Sequence, residues 1–456
     1  MGRFIFIFFV LNFYLSVYAK SKDLSELLDI LATNHPEAKS LYAATNAHKA
    51  HADAAGILPD PKVGFAYRNY PTKYGYALND KELNTPTMTG VEVSVAQEFP
   101  FPGKLTLETK VAHSQHSQAS LVYNDGLNFL ASELLLQINK SRNVRSRMEI
   151  NDRIIDLLNA QQTTVEGYYS SGIVPQTQSI KASIAKTEAL TRNVEYKTQL
   201  KEVEAQISYF ILPEQITRKD FEEVNLDSYF DTNQKLLLTL TNDKNSALES
   251  SPRYQIFVQE EKKLIDQAKL TKFNLAPQTE VFFSYMKRRP QTFALDQGPL
   301  DVRLMDTTEY RGDLFSFGLN MKIPFWSALK WDAITEETEQ NAKAGGISKE
   351  RLLTQLNSDF DKSISTLQGM NEQIDILERT LIPQMEKSVT ASLSLYGPGK
   401  ATLQESILSK VEVLNVKIKL VELKEKRNEA ILILLRLIGK VYPQSADQKQ
   451  NAMAGT

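Results

Sequence analysis

The side chains best suited to chemistry in this chain are its five histidines, His35, His48, His51, His113 and His116. His48 and His51 stand one helical turn apart, as do His113 and His116, a spacing at which two imidazoles can share a soft metal. Only Asp53 offers a further ligand close by in the sequence. Both pairs therefore read as solvated histidines on polar helix faces, and neither a metal nor another cofactor is expected. The chain has no cysteine, which excludes disulfides, thiolate chemistry, cysteine metal sites and a lipidated N-terminal cysteine. There is no glycine-rich phosphate loop, no Ser-His-Asp arrangement and no zinc-protease motif, so no catalytic residue is assigned. Lys and Arg number 53 against 55 Asp and Glu, which gives no electrostatic case for nucleic acid.

With reaction chemistry set aside, the elements themselves become the informative feature. In Gly90 to Lys104, GVEVSVAQEFPFPGK, Val91, Val93 and Val95 alternate with Glu92, Ser94 and Ala96, the period of a strand with one apolar face. Pro100 and Pro102 end the ladder because proline has no N–H to give it. From Lys104 the chain is polar and helix-forming for more than about sixty residues, and a helix of that length extends about 100 Å. The same join recurs in Gly312 to Lys330, GDLFSFGLNMKIPFWSALK, where Phe315, Phe317, Leu319 and Met321 form one face and Ile323-Pro324-Phe325 answers Phe99-Pro100-Phe101. His35-Pro36-Glu37 is matched by Ser251-Pro252-Arg253, and Tyr169-Ser170-Ser171-Gly172 by Tyr396-Gly397-Pro398-Gly399. These landmarks keep their order at a separation of roughly 220 residues, the mark of a tandem duplication.

In chain order, residues 1–19 read as a secretory leader: Arg3, an apolar run from Phe4 to Phe13, and the small-x-small site Val17-Tyr18-Ala19. Residues 20–210 form the first repeat, with a helix broken near Pro36, a strand hairpin over 58–99 and a long helical hairpin over 104–210. Gly172 and Pro175 mark its turn. Residues 211–250 are expected to be an irregular side segment. Residues 251–439 form the second repeat, with a strand hairpin over 276–323 and a helical hairpin over 331–439 in which Pro383 predicts a kink or break. Ile407, Val411, Leu414, Ile418 and Val421 alternate in steps of four and three, a coiled-coil seam. Residues 440–456 read as a flexible tail.

The long connection at one end of each hairpin suits an outer-membrane barrel, whose external loops are long. Four strands cannot close such a barrel, since even small ones need about eight. Open strand edges cannot face lipid, so other copies must complete the sheet. Helices of about 100 Å likewise cannot be buried in one globular core. The expected fold class is thus an α+β membrane protein. Its β-barrel takes four strands from each protomer and continues into a long α-helical barrel.

The order of these elements resembles the TolC-type outer-membrane efflux proteins of Gram-negative bacteria, and the resemblance spans the whole mature chain. The segment Gln97-Glu98-Phe99-Pro100-Phe101-Pro102-Gly103-Lys104 is similar to the strand-to-helix join of the heavy-metal and drug efflux branch. The second half departs from it, carrying Trp326-Ser327-Ala328 where Pro-Gly-Lys would stand, and the lipidated N-terminal cysteine of many relatives is missing. The resemblance implies a homotrimer in the cell outer membrane, serving as a passive conduit and not an enzyme. It implies as partners a periplasmic adaptor (membrane fusion) protein, an inner-membrane pump of resistance–nodulation–division type and outer-membrane lipid. It also implies that the periplasmic helix tips narrow the tube, that an acidic ring there selects cations, and that the tips dock the adaptor. Here those positions are Glu166, Tyr169 and Gly172 in the first hairpin and Tyr396, Gly399, Lys400 and Glu405 in the second. Val91, Val93, Val95, Phe315, Phe317, Leu319 and Met321 are expected to face lipid.

Three alternatives stand beside this. The outer-membrane part of a type I protein secretion system would look the same in sequence. A periplasmic adaptor would carry one helical hairpin between lipoyl-like and barrel domains, and a coiled-coil stalk would carry one unbroken heptad run without amphipathic strands.

Overall fold

A computed structural model of the chain describes residues 24–69, 88–211, 226–274, 276–293, 307–309, 311–396 and 403–442. The expected leader, the connection between the first two strands and the tail beyond 442 lie outside these residues. Two compact units divide the chain: Met1–Tyr42, Val122–Arg253 and Leu353–Thr456 in one, Ala43–Leu121 and Tyr254–Leu352 in the other.

The elements begin with α1 (Leu24–Asn34) and α2 (Pro36–Ala54), separated at His35 because Pro36 cannot continue α1's ladder and instead opens α2. Strands β1 (Lys62–Arg68) and β2 (Gly90–Phe99) follow, then α3 (Lys104–Ser170) and α4 (Gln176–Phe210). The first strand is shorter than the hairpin bounds suggested. Next come α5 (Leu226–Leu240), a 3-10 turn over Thr241–Asp243 and α6 (Lys244–Glu249). The segment expected to be irregular is therefore helical from Leu226 to Glu249. Its apolar positions follow a helical period, and Leu226, Phe230 and Leu237 are buried. Then follow α7 (Pro252–Asn274), β3 (Gln278–Arg288), β4 (Gln291–Phe293), β5 (Thr307–Glu309), β6 (Leu314–Lys322), the single turn α8 (Phe325–Ala328) and α9 (Trp331–Ile376). The short β4–β5 pair carries no signal that was recognised in the sequence. A π-helical turn, Leu377–Leu381, leads into α10 (Ile382–Tyr396), and α11 (Leu403–Leu437) closes the order.

The break expected at Pro383 thus takes the form of a wide turn placed just before the proline. The N–H of Ile382 donates to the carbonyl of Leu377, five residues back, and the extra residue absorbs the hydrogen bond that Pro383 cannot make.

In the second unit, β1, β2, β3 and β6 form one antiparallel sheet in that order. It is not closed: among the described residues β1 and β6 are its edges. The join after β2 turns on Gly103, whose φ of +91° lies in the left-handed region, and the N–H of Lys104 donates to Phe101 O at 3.0 Å. Phe101 packs on Phe273, ring centroids 5.8 Å apart. The helices of this unit are tied by Thr45 Oγ1 donating to Ala119 O at 3.2 Å and by Lys349 bonded to Glu261 at 2.6 Å.

In the first unit, α3 is the central helix. Leu130, Leu134, Leu135 and Ile138 on it are buried, as are Leu27, Leu28 and Leu31 of α1. The coiled-coil seam of α11 is formed as expected. Ile407, Val411, Leu414 and Ile418 pack with Ile154 and Leu158 of α3 and Ala189 of α4. The C-terminal end of α11 is fastened by Asn128, whose Oδ1 accepts the backbone N–H groups of Val441 and Tyr442, each at 3.0 Å. Replacing Asn128 by Ala takes the acceptor from the buried Val441 N–H and the half-buried Tyr442 N–H, and an unpaired buried donor costs about 1–3 kcal/mol. The purified variant should therefore unfold at clearly lower denaturant than the parent.

Candidate functional site

The sheet has two chemically distinct faces because its pairing register aligns like with like. Phe65, Val93, Tyr285 and Phe315 stand in one row across the four strands, and Val63, Val95, Phe283 and Phe317 in the next. This face is largely exposed: Phe317 is 78% accessible, Leu319 57% and Met321 51%. Val91, Val95 and Phe315 are also exposed, whereas Val93, in the middle of the row, is half-buried. The opposite face is mixed, with Phe282, Met286 and Leu314 standing on it beside small and polar residues. Gly64, Ser94, Ser284 and Ser316 form one row, and Glu98, Glu280 and Asn320 another. Its charges are paired across strands, Lys62 with Glu280 at 2.9 Å and Arg68 with Glu92. Asn320 donates to Glu280 Oε1 at 3.2 Å. The first face is thus continuously apolar over all four strands, and the second holds the cross-strand charges.

The second part of the site is the helix tips. The tip of α3 ends in a glycine cap: Ile173 N–H donates to Tyr168 O at 2.8 Å and Gly172 N–H to Tyr169 O at 2.9 Å. This double bond pattern needs a left-handed residue, and Gly172 supplies it with φ +72°. Tyr168, Tyr169 and Ile173 are exposed around it. Glu166 is exposed and accepts from Gln162 Nε2 at 2.7 Å. In the second hairpin, Glu405 is exposed in the first turn of α11. Tyr396 is the last residue of α10, with its side chain outside the described residues, and Gly399 and Lys400 lie outside them altogether.

Polar bonds fix the register between α3 and α11 away from the tips. Asn428 Nδ2 donates to Asn139 Oδ1 at 3.0 Å, and Arg147 bonds Glu425 at 3.0 Å. Nearer the tips, Ile154 and Leu158 face Val411 and Leu414 in one cluster. Continued to the ends of the helices, this antiparallel alignment sets Glu166 level with the first turn of α11, where Glu405 stands. Arg147 also lies 5.5 Å from the Tyr196 ring of α4. Burial pushes the Glu425 carboxyl above its ordinary value, with Arg147 pulling the other way.

A third feature was not picked out from the sequence, although its spacing was there to find. On α4, Ala182, Ala189, Asn193, Tyr196, Val203 and Ile207 are buried toward the rest of the unit. Toward the other side, Ile180, Ile184, Thr187, Thr191, Val194 and Thr198 also alternate in steps of four and three, and all are exposed. Thr187, Thr191 and Thr198 donate their hydroxyls to the carbonyls four residues back, at 2.9, 3.0 and 3.0 Å. Their hydroxyls are thereby engaged by their own helix, and the stripe is β-branched throughout. A helix with two such seams is built to have neighbours on both sides.

The histidines assemble no site. His35 is buried against Phe210 at 5.8 Å between ring centroids, and burial lowers its pKa. His48, His51 and His113 are exposed. Among the described residues no group of three or more His, Cys, Asp or Glu could hold a metal ion, and no helix is long and apolar enough to cross a membrane.

The open amphipathic sheet combined with very long helical hairpins defines the class: the fold is that of TolC-type outer-membrane channels. Among solved structures, the chain is similar to the outer membrane protein VceC of Vibrio cholerae at 13% identity, covering 91% of this chain and 96% of that one with a TM-score of 0.68. It is similar to the CmeC outer membrane channel of Campylobacter jejuni at 11% identity, covering 94% and 88%, TM-score 0.68. It is also similar to the open state of the MtrE outer membrane channel of Neisseria gonorrhoeae at 10% identity, covering 92% and 89%, TM-score 0.66. Identities this low establish a shared fold. No protein-family model and no curated protein matches the chain.

The cap at the first tip is testable on its own. A Cβ at Gly172 would meet nothing within 4 Å, so Gly172→Ala acts only through the left-handed backbone, at a cost of about 1–2 kcal/mol. Amide exchange should quicken at Gly172 and Ile173 and stay unchanged at Leu158, as read by hydrogen–deuterium exchange.

Proposed function

We propose that this protein is the outer-membrane channel of a tripartite efflux or export system in a Gram-negative bacterium, a passive conduit without enzymatic activity. The observation that carries this is the sheet, with apolar rows running unbroken over four strands, polar rows behind them, and both edges open. In lipid an unpaired backbone N–H or C=O costs several kcal/mol, so β1 and β6 must pair with other copies. Three copies of a four-stranded sheet give a twelve-stranded barrel, within the range of natural ones. The second seam of α4 supports the same closure among the helices, since its exposed methyl groups need a neighbouring helix to cover them. In this homotrimer Val91, Val93, Val95, Phe315, Phe317, Leu319 and Met321 face lipid, and Ser94, Ser284 and Ser316 face the lumen.

The helix tips form the periplasmic constriction. Glu166 and Glu405, level with one another, repeat in every protomer as acidic rings, and charged rings are a physical route to ion selectivity. Tyr169, Gly172, Tyr396, Gly399 and Lys400 surround the turns at which a periplasmic adaptor docks, with an inner-membrane pump of resistance–nodulation–division type behind it. The Phe-Pro-Gly-Lys join favours cations or drugs as cargo. Type I protein secretion is the second reading, since the wall chemistry would be the same.

Two experiments test this function. Val93→Arg or Phe317→Arg should cost roughly 2–4 kcal/mol near the bilayer midplane and abolish outer-membrane assembly, while Ser316→Arg on the opposite face should still assemble. Equal tolerance of all three would remove the lipid-facing assignment. In a planar bilayer, Glu166→Gln combined with Glu405→Gln should lower cation preference. Unchanged selectivity in a fully assembled channel would take these carboxylates out of the constriction.

A further inference from the structure

In the first unit, a cavity of about 310 Å³ lies between α3 and α11, with Arg253 from the start of α7 at its border. Asp125, Ser132 and Glu133 of α3 and Glu429 and Arg436 of α11 supply the rest of its polar lining. Leu136, Leu432 and Leu437 give it apolar walls. The charges are left over from the fold. Among the described residues, Asp125, Glu133 and Glu429 make no hydrogen bond or ion pair, and neither guanidinium closes on a carboxylate. Arg436 instead lies over the Phe129 ring at 4.4 Å. Ser132 is only 6% exposed, and its hydroxyl has no partner among the described residues. Burial pushes the Asp125 carboxyl up from its ordinary value, and the charges of Arg253 and Arg436 pull it back.

The direction in which the cavity opens follows from the ion pairs on the other side of the same helices. Arg427 reaches Asp231 of α5 at 4.0 Å, and Arg142 reaches Asp227 at 3.5 Å, so α5 covers one side of the α3–α11 pair. Arg436 stands nine residues after Arg427, and Glu133 nine before Arg142. At about 3.6 residues per turn, nine residues are two and a half turns, which places each on the side away from α5. In the proposed channel a side segment cannot stand in the bore without blocking it, so the cavity faces the lumen. Neighbouring copies meet at the outer stripe of α4 and not here.

A cavity with apolar walls and a few converging polar groups is the form of a small-molecule site. Water solvates the charges of such a site but gains nothing from its leucines. A guest with a single charge satisfies one sign and leaves the other desolvated beside it, which is costly. We propose that this cavity binds a small zwitterionic amphiphile, with the chemistry of a short apolar peptide. Its carboxylate meets the guanidinium groups of Arg253 and Arg436, its ammonium group meets Glu133 and Glu429, and its apolar body lies on the leucines. The luminal placement rests on the conduit reading above, whereas the binding itself does not.

The full-length protein, purified in detergent, is titrated calorimetrically with phenylalanyl-leucine, with its N-acetyl form, which lacks the ammonium, and with its amide, which lacks the carboxylate. The free dipeptide should bind about tenfold tighter than either derivative, because each forfeits a hydrogen bond to a charged group. Glu133→Gln should weaken the free dipeptide about tenfold and leave the N-acetyl form unchanged, while Arg436→Gln should weaken it similarly and leave the amide unchanged. Arg427→Gln, on the α5 side, should alter none of the three. A general loosening of the helix pair would weaken all three ligands alike, and Glu133 has no partner in the fold to lose. If the parent binds no dipeptide, or if Glu133→Gln and Arg436→Gln affect all three ligands equally, the site is overturned. Binding of either derivative as tight as that of the free dipeptide overturns the zwitterion assignment. Conductance of the same preparation in a planar bilayer tests the conduit apart from the site. A conducting channel that binds no dipeptide keeps the conduit and loses the site, and a protein that binds without conducting keeps the site and loses its luminal placement.

Discussion

Backbone hydrogen bonding at a sheet edge is the constraint on which the rest of this molecule depends. A strand cannot satisfy its own N–H and C=O groups, and in hydrocarbon no water is present to do so. Among the described residues the sheet has four strands, with β1 and β6 as its edges. Every other large feature is consistent with that incompleteness. Among the described residues the apolar rows are largely uncovered, and the outer stripe of α4 is exposed. In the proposed trimer a single copy is a segment of a wall, and its stability depends on the presence of its neighbours.

Within the helical unit the organising device is polar. The α3–α11 contact is mostly aliphatic, yet Asn139, Asn428, Arg147 and Glu425 interrupt it with directed bonds. An aliphatic seam alone tolerates sliding by a heptad, whereas a hydrogen-bonded polar layer admits one alignment. That alignment is what sets Glu166 and Glu405 at one level, although they are far apart in the sequence. Position at the tip is thus decided many turns away from the tip.

Much of this was legible in the residues. Alternation at Val91, Val93 and Val95 and at Phe315, Phe317 and Leu319 marks both strands and puts these residues on one shared face, because a side-chain period of two leaves no third choice. Gly172 gave the cap and Ile407 to Ile418 gave the seam, since both are local rules. Residues 226–249 are helical where an irregular segment is expected, because burying Leu226, Phe230 and Leu237 on one face decides for helix. The outer stripe of α4 passed unnoticed because half of it is threonine, which counts as polar until its hydroxyl is seen bonded to its own helix. The levelling of the two tip carboxylates depends on a packing register between distant segments, which no periodicity within either helix encodes.

The wide turn at Leu377–Leu381 makes the two halves of a duplicated chain mechanically unequal. In α3 the ladder is continuous over 67 residues, so any bend must stretch every hydrogen bond along one side of the rod. In the second hairpin the ladder changes its spacing once, ahead of a proline whose missing donor has already been conceded. Flexural compliance is concentrated there, in a single turn of one arm, while the other arm behaves as a strut. A repeat that began as two copies of one design has in this way acquired a fixed member and a yielding one.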